Sequence, residues 1–224
     1  MRQGNIMVTV TDEQVREGDQ FIAHLRGRRR PRVFIISGPS GVGKDTVIDR
    51  LREIESDTHF AVTATTRPKR ATEIDGTHYF FLSQEEFTNS VSDGEFLEFA
   101  SVYGQRYGVP KSPVRAALQR GQDVVIKIDV QGAAAIRTLI PDSVGIFIAP
   151  ESMQSLYLRL SARKTDDPLV LARRFEEARH ELLRAQEFDF IVFNETNGLL
   201  RAVDEIGAII RAVRSEIRQP EIAI

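Results

Sequence analysis

The stretch SGPSGVGKDT, residues 37–46, decides how the rest of this chain is read. It fits the pattern G-x-x-x-x-G-K-[ST] at Gly38, Gly43 and Lys44, and departs from it at Asp45. In that pattern glycines let backbone N–H groups wrap a phosphate, and the lysine reaches the β and γ oxygens of a nucleotide. Pro39, Ser40, Gly41 and Val42 complete the loop. The hydroxyl that normally follows the lysine faces Mg2+. A carboxylate at that place also reaches a metal, but it adds negative charge beside a polyphosphate; Thr46 follows at once. Upstream, residues 33–37 (VFIIS) are a short apolar run with strand propensity. Downstream, residues 44–55 carry Val47, Ile48, Leu51 and Ile54 at helical spacing. Strand, glycine loop and helix in that order are the context a phosphate-binding loop requires.

The bulk properties narrow the setting. A chain of 224 residues suits one large α/β domain, or a core with small inserted subdomains. With 42% hydrophobic and 28% charged residues it has the composition of a globular protein able to bury a core. A formal net charge of −2 gives no global drive toward nucleic acid or anionic membrane, so neither is expected as a partner. The absence of cysteine removes disulfides, thiolate metal sites and a cysteine nucleophile. No apolar run approaches the roughly 18 residues of a membrane span. The amino terminus lacks the apolar centre of a signal peptide, and a cytoplasmic location is the expectation. Tryptophan is absent too, which leaves base stacking to Tyr or Phe.

Residues 1–32 read as an arm, with a helix over 12–26 capped by Thr11 or Asp12. It ends in the cluster Arg26, Arg28, Arg29, Arg30 and Arg32, taken as a solvated face because no aromatics are interleaved. Further strands are expected at 124–129 (VVIKID), 144–149 and 189–194, and helices at 111–120, 131–139, 152–163, 168–187 and 198–218. Asp129, ending an apolar strand, is a candidate carboxylate for Mg2+, held directly or through water. Strands alternating with helices predict an α/β fold, a parallel sheet covered on both faces. Residues 67–110 break the alternation. Tyr79-Phe80-Phe81-Leu82, a helical stretch at 84–92 and Glu95–Phe99, with turns at Asp75-Gly76 and Tyr103-Gly104, predict a small α+β insertion where a second substrate docks.

That insertion opens with TATTRPKRATEIDGTHYFF, residues 63–81. Arg67 and Arg70 with Tyr79 suit a phosphate monoester, since a guanidinium fork pairs two oxygens; spacing alone favours a solvated basic surface. The segment closely resembles the guanylate kinase signature S-x-T-T-R-x-x-R-x-x-E-x-x-G-x-x-Y-x-F, and the resemblance extends over about residues 33–215. It implies a P-loop nucleoside monophosphate kinase. The core would be 33–66, 111–155 and 186–218, the GMP-binding subdomain 67–110 and the helical lid 156–185.

By that resemblance Arg67, Arg70, Tyr79 and Tyr107 hold the GMP phosphate, with Glu73 in the same string. Thr63, Glu98 and the segment from Gly108 read the guanine. A carboxylate at Glu98 suits guanine, whose N1–H and N2–H are adjacent donors; adenine lacks that edge. Asp129-Val130-Gln131-Gly132 lies near both GMP and Mg2+, which Asp45, Thr46 and Asp129 would serve. Arg159, Arg163 and Arg174 match the lid, and Asn194 the strand that returns near the adenine end of ATP. Residue type alone reads the lid arginines as a charged helix face laced by Glu177 and Glu181.

Four residues depart from the family pattern. They are Asp45 for Ser or Thr, Lys127 where an acid is common, Val109 for a small hydroxyl residue, and Lys164 for a lid glycine. Strand alternation puts Lys127 and Asp129 on one face, so Lys127 is expected to pair with Asp129 or Asp45 or to meet phosphate. The implied reaction is ATP + GMP → ADP + GDP, with dGMP as a second acceptor. Lys44, Arg163 and Arg174 would be the catalytic side chains. The rival readings are another small-molecule kinase on this scaffold, such as a ribose 1,5-bisphosphate phosphokinase, and a non-catalytic guanylate-kinase-like binding module.

Overall fold

A computed structural model describes residues 10–27, 30–71, 73–102, 104–162, 168–217, 220 and 222. In chain order the elements are α1 (Asp12–Arg26), β1 (Val33–Ser37), α2 (Lys44–Ile54), β2 (His59–Phe60), β3 (Thr63–Thr65), β4 (Tyr79–Phe81), α3 (Gln84–Ser92), β5 (Phe96–Val102) and β6 (Gln105–Pro110). There follow α4 (Lys111–Gln119), β7 (Val124–Lys127), α5 (Val130–Leu139), β8 (Val144–Pro150), α6 (Met153–Ser161), α7 (Pro168–Leu183), a short 3-10 turn (Arg184–Glu187), β9 (Phe190–Asn194) and α8 (Leu199–Arg214).

The core sheet has the order β2-β7-β1-β8-β9, and every pairing in it is parallel. Its central strands β1, β7 and β8 are apolar on both faces because both are covered. Phe34 and Ile36 point into one core layer with Val47, Ile48 and Leu51 of α2, Leu156 and Leu160 of α6, Ala178 of α7 and Ile206 and Ile210 of α8. Val33 and Ile35 point into the other, with Val114 and Ala117 of α4 and Ala133 and Ile136 of α5. A second, four-stranded sheet of order β4-β3-β6-β5 forms the insertion, with Phe87 of α3 stacked on Phe96 at 4.7 Å between ring centroids. The α/β class, the covered parallel sheet and the α+β insertion are as expected.

Several boundaries move. The strand expected at 124–129 ends at Lys127, since Asp129 leaves the ladder to cap α5. β3 pairs with β4 and β6, so the small sheet begins at Thr63 and not at residue 67. Within the expected lid, Leu156 and Leu160 of α6 are fully buried in the core layer, which anchors that helix to the sheet. Helix α1 forms as expected, with Thr11 and Gln14 in a reciprocal capping box, and buries no residue.

Arg32 was expected in a solvated arm, and it is 5% exposed. Its backbone N–H donates to Asp123 at 2.7 Å and its guanidinium to Glu216 at 3.1 Å. Asp123, fully buried, also accepts from Arg214 Nε at 2.5 Å, while Arg214 donates to Glu55 and to Thr58, each at 2.6 Å. This network ties the end of α8 to the amino-terminal ends of β1 and β7, the edge opposite the glycine loop. Removing one partner strands the others without compensation. Arg214→Met is therefore expected to cost about 3–5 kcal/mol of stability, read by denaturant unfolding. A loss below about 1 kcal/mol would show the network to be neutral.

Candidate active site

The glycine loop leaves the carboxyl end of β1, where ligands of open parallel sheets lie. Gly38 has φ 147°, and a side chain there would collide with the Ile148 carbonyl. Gly43 caps α2 with φ 99°, and a Cβ would lie 2.6 Å from Asn194 Nδ2. Glycine is thus required at both places by conformation and by close approach. The Val42 carbonyl is held from outside by Asn194 Nδ2 at 2.8 Å and Arg159 at 3.0 Å, and Arg159 also donates to the Asn194 carbonyl at 2.8 Å. These two expected ATP residues brace the back of the loop.

Inside the loop, Lys44 Nζ donates to the carbonyls of Gly38 at 2.5 Å and Pro39 at 3.1 Å. Burial pushes its ammonium pKa down, and the Glu181 and Asp45 carboxylates work against that shift. Glu181, on α7, accepts the Ser40 N–H at 2.9 Å, and Arg174 donates to Ser40 Oγ at 3.3 Å. Burial drives the Glu181 carboxyl above its ordinary range, although Lys44 and the Ser40 amide draw it down. A carboxylate on a loop amide occupies the kind of place a phosphate oxygen takes. Sequence reasoning had read Glu181 as one of the charges lacing a helix face. The signal available was its position three residues after the buried Ala178, on the same helical face.

On the small sheet, Arg67 is locked to Glu73 by two parallel bonds of 2.8 and 2.5 Å, and Glu73 also accepts the Arg70 N–H at 2.8 Å. The Arg67 guanidinium holds the Glu73 carboxyl down at about 2, so the pair stays ionised across any working pH. Arg67 commits three N–H donors to Glu73 and Pro68. A guanidinium has five, which leaves donors for an anion. Its Cζ lies 4.9 Å from the Tyr79 ring centroid, and Tyr107 meets Tyr79 edge-on at 6.2 Å. Arg70 itself is exposed.

Glu98 lies on β5 just past a register shift between Phe96 and Glu98, which re-aims its side chain. It is 8% exposed, and burial together with the nearby Asp129 carboxylate pushes its pKa up to about 7. Thr63 is buried on β3, and a Cβ on Gly132 would come within 3.1 Å of the Glu98 carboxyl carbon. Gly108 is packed against Phe96. Val109 is fully buried in the second core layer, where a hydroxyl residue would have been expected near the ligand.

The two halves meet over a cleft lined by Asp45, Thr63, Glu73, Tyr79 and Lys127. Lys127 resolves to Asp45: its Nζ forms an ion pair with Asp45 Oδ1 and lies 3.4 Å from Tyr79 OH. Asp129, expected at a strand end, instead accepts the N–H groups of Gln131 and Gly132 at 2.8 and 2.9 Å. Its charge is felt at Glu98 on one side and at Lys44 and Glu181 on the other. Thr46 is exposed on the first turn of α2. Arg163 and Lys164 lie outside the described residues. No helix of the described residues is long and apolar enough to cross a membrane.

A family model described as guanylate kinase matches residues 30–212. The guanylate kinase of Symbiobacterium thermophilum is 42% identical over 183 residues, covering 82% of this chain and 86% of that protein. Guanylate kinase 2, chloroplastic/mitochondrial, of Oryza sativa is 41% identical over 196 residues, covering 87% of this chain and 69% of that one. The crystal structure of guanylate kinase from Anaplasma phagocytophilum superposes with a TM-score of 0.71 at 30% identity, over 84% of this chain and 88% of that one. A parallel-sheet core with a phosphate loop, a basic and aromatic small sheet facing it, and these matches give one answer: the chain belongs to the guanylate kinase family.

Proposed function

We propose that this protein transfers the γ-phosphoryl group of MgATP to GMP, and to dGMP, giving ADP and the nucleoside diphosphate. The observation that carries this reading is the buried Glu98 carboxyl on the small sheet, within the electrostatic reach of Asp129, whose charge also acts on Lys44 of the loop. A carboxylate in that place pairs with the two adjacent N–H donors of guanine. A ribose acceptor offers no such edge, and a binding module has no need of an intact Lys44.

In this reading GMP lies on the small sheet, its phosphate toward Arg67, Arg70, Tyr79 and Tyr107, its base toward Glu98, Thr63 and Gly108. ATP lies on the loop of residues 38–46, with Arg159 and Asn194 holding the loop from behind. The hard oxygens of Asp45 and Thr46, with Asp129 beyond, would hold a Mg2+ ion, which takes one or two protein ligands plus phosphate oxygens. It would supply charge neutralisation to the polyphosphate. The acceptor phosphate is already an anionic nucleophile, so no general base is needed. Lys44, Arg174 and Arg163 neutralise the group in transfer, and closure of the lid over both substrates excludes water. A cytoplasmic location accompanies this reading.

A coupled assay of ADP formation with GMP, dGMP, AMP, ribose 1,5-bisphosphate and no acceptor tests it. Turnover with the sugar phosphate and none with GMP would overturn it. The Glu98 carboxyl adds a pH signature. Its folded pKa, about 7, lies above the ordinary carboxyl value, so the ligand-free protein gains stability from it at low pH and loses that gain as pH rises through 7. Guanine recognition needs the ionised form and runs the other way. Guanosine affinity is expected to fall by about tenfold per unit as pH drops below 7, and to be flat in Glu98→Gln. An equally flat profile in the unaltered chain would remove the carboxylate from base recognition.

A further inference from the structure

We propose that Lys127 is a ligand of the acceptor phosphate supplied by the core sheet, and that Asp45 holds its place until that phosphate arrives. The assignment rests on the GMP reading above. Three observations lead to it. Lys127 stands at the end of β7, paired in register with Ile36 of β1, which sets its ammonium level with the start of the glycine loop. Its Nζ reaches Asp45 on the core and lies 3.4 Å from the hydroxyl of Tyr79 on the small sheet. The Tyr79 ring that Lys127 approaches at 5.0 Å also carries the Arg67 guanidinium at 4.9 Å. An anion bound by Tyr79 and Arg67 therefore comes within reach of Lys127.

The two cations beside that ring are held differently. Arg67 and Glu73 are each 12% exposed and doubly bonded, a pair that stays together. The Lys127 side chain is 20% exposed but its partner Asp45 is 69% exposed. Asp45 can therefore return to water at little cost, whereas Lys127 cannot follow it. The Lys127 ammonium lies against both the Asp45 carboxylate and the Tyr79 hydroxyl, and a point cation there suits a phosphate oxygen as well as a carboxylate one. A phosphate monoester carries more negative charge than the carboxylate it displaces. The exchange joins a core residue to a small-sheet ligand, so the acceptor is gripped from both sides of the cleft.

The test is calorimetric titration of the full chain with GMP and with guanosine, in metal-free buffer without ATP. Lys127→Met is expected to weaken GMP binding by about 10- to 100-fold, the range of one charge-assisted contact, and to change guanosine binding less than about twofold. Lys127→Arg keeps GMP affinity within about threefold. Asp45→Asn, which removes the competing counterion, tightens GMP binding, and the double variant Asp45→Asn/Lys127→Met binds as weakly as Lys127→Met. Thermal melting of each variant identifies any that fails to fold; Asp45→Asn then carries the test alone. GMP affinity unchanged in Lys127→Met, or equal weakening by Asp45→Asn and Lys127→Met, would overturn the assignment and make the pair a structural strut. A parent chain that fails to bind GMP would overturn the acceptor reading itself.

Discussion

Replacing Lys44 by alanine is expected to lower turnover by about 10²- to 10³-fold, the cost of removing one preorganised charge from a phosphoryl-transfer site. Its Nζ is held at the loop mouth by the Gly38 and Pro39 carbonyls, with the Glu181 and Asp45 carboxylates close enough to perturb it. These are weak holds that a polyphosphate replaces. The charge on the γ-phosphoryl group grows toward its bridging oxygens during transfer, so the loss falls mainly on kcat and less on KM for ATP. Steady-state kinetics with both substrates varied measure this split. Near-normal turnover in Lys44→Ala would sink the assigned role.

The second large effect is on selectivity. Glu98→Gln is expected to erase most of the preference for GMP over AMP, a ratio that buried hydrogen-bonding groups can set at about 10⁴. The amide keeps one acceptor and gains a donor that opposes one guanine N–H, so the favourable pair becomes one contact and one clash. ATP affinity should be little changed, because Glu98 sits on β5 of the small sheet and the loop on β1 of the core. The ratio of kcat/KM values for GMP and AMP is the measurement. An unchanged ratio in Glu98→Gln would refute the guanine assignment.

Much of this site is legible because its signals are local. The strand at 33–37, the loop and the helix from Lys44 follow from an apolar run, fixed glycines and a 3.6-residue period within one short window. Arg67 and Glu73 are six residues apart and Arg70 lies between them, so their cluster needs only one turn to form. Residues that meet across the fold were harder to place. Lys127 finds Asp45 82 positions away because β7 lies beside β1 in register, and the sequence alone left Asp129 and phosphate open beside Asp45 as its partners. Arg214 and Asp123 are 91 apart, and Glu181 reaches Ser40 across 141 positions. Asp129 was misread as the end of a strand because a terminal Asp and a helix cap look alike in sequence. Only the two N–H groups it accepts from Gln131 and Gly132 separate them.

Asp45, the departure in the glycine loop, is explained jointly with Lys127. The carboxylate that adds negative charge beside a polyphosphate is matched by a lysine from the next strand, and both face the same cleft. Their contact accounts for two departures from the family pattern with one pair. Val109 is accounted for by core packing.

The most direct measurement is product identity by phosphorus NMR, with the full chain, MgATP and one acceptor at a time. The account predicts β- and α-phosphate signals of GDP rising with those of ADP in equal amounts when GMP is present, and none of either when acceptor is omitted. ADP formed without GDP, or GDP absent while a sugar bisphosphate acceptor is consumed, would contradict it.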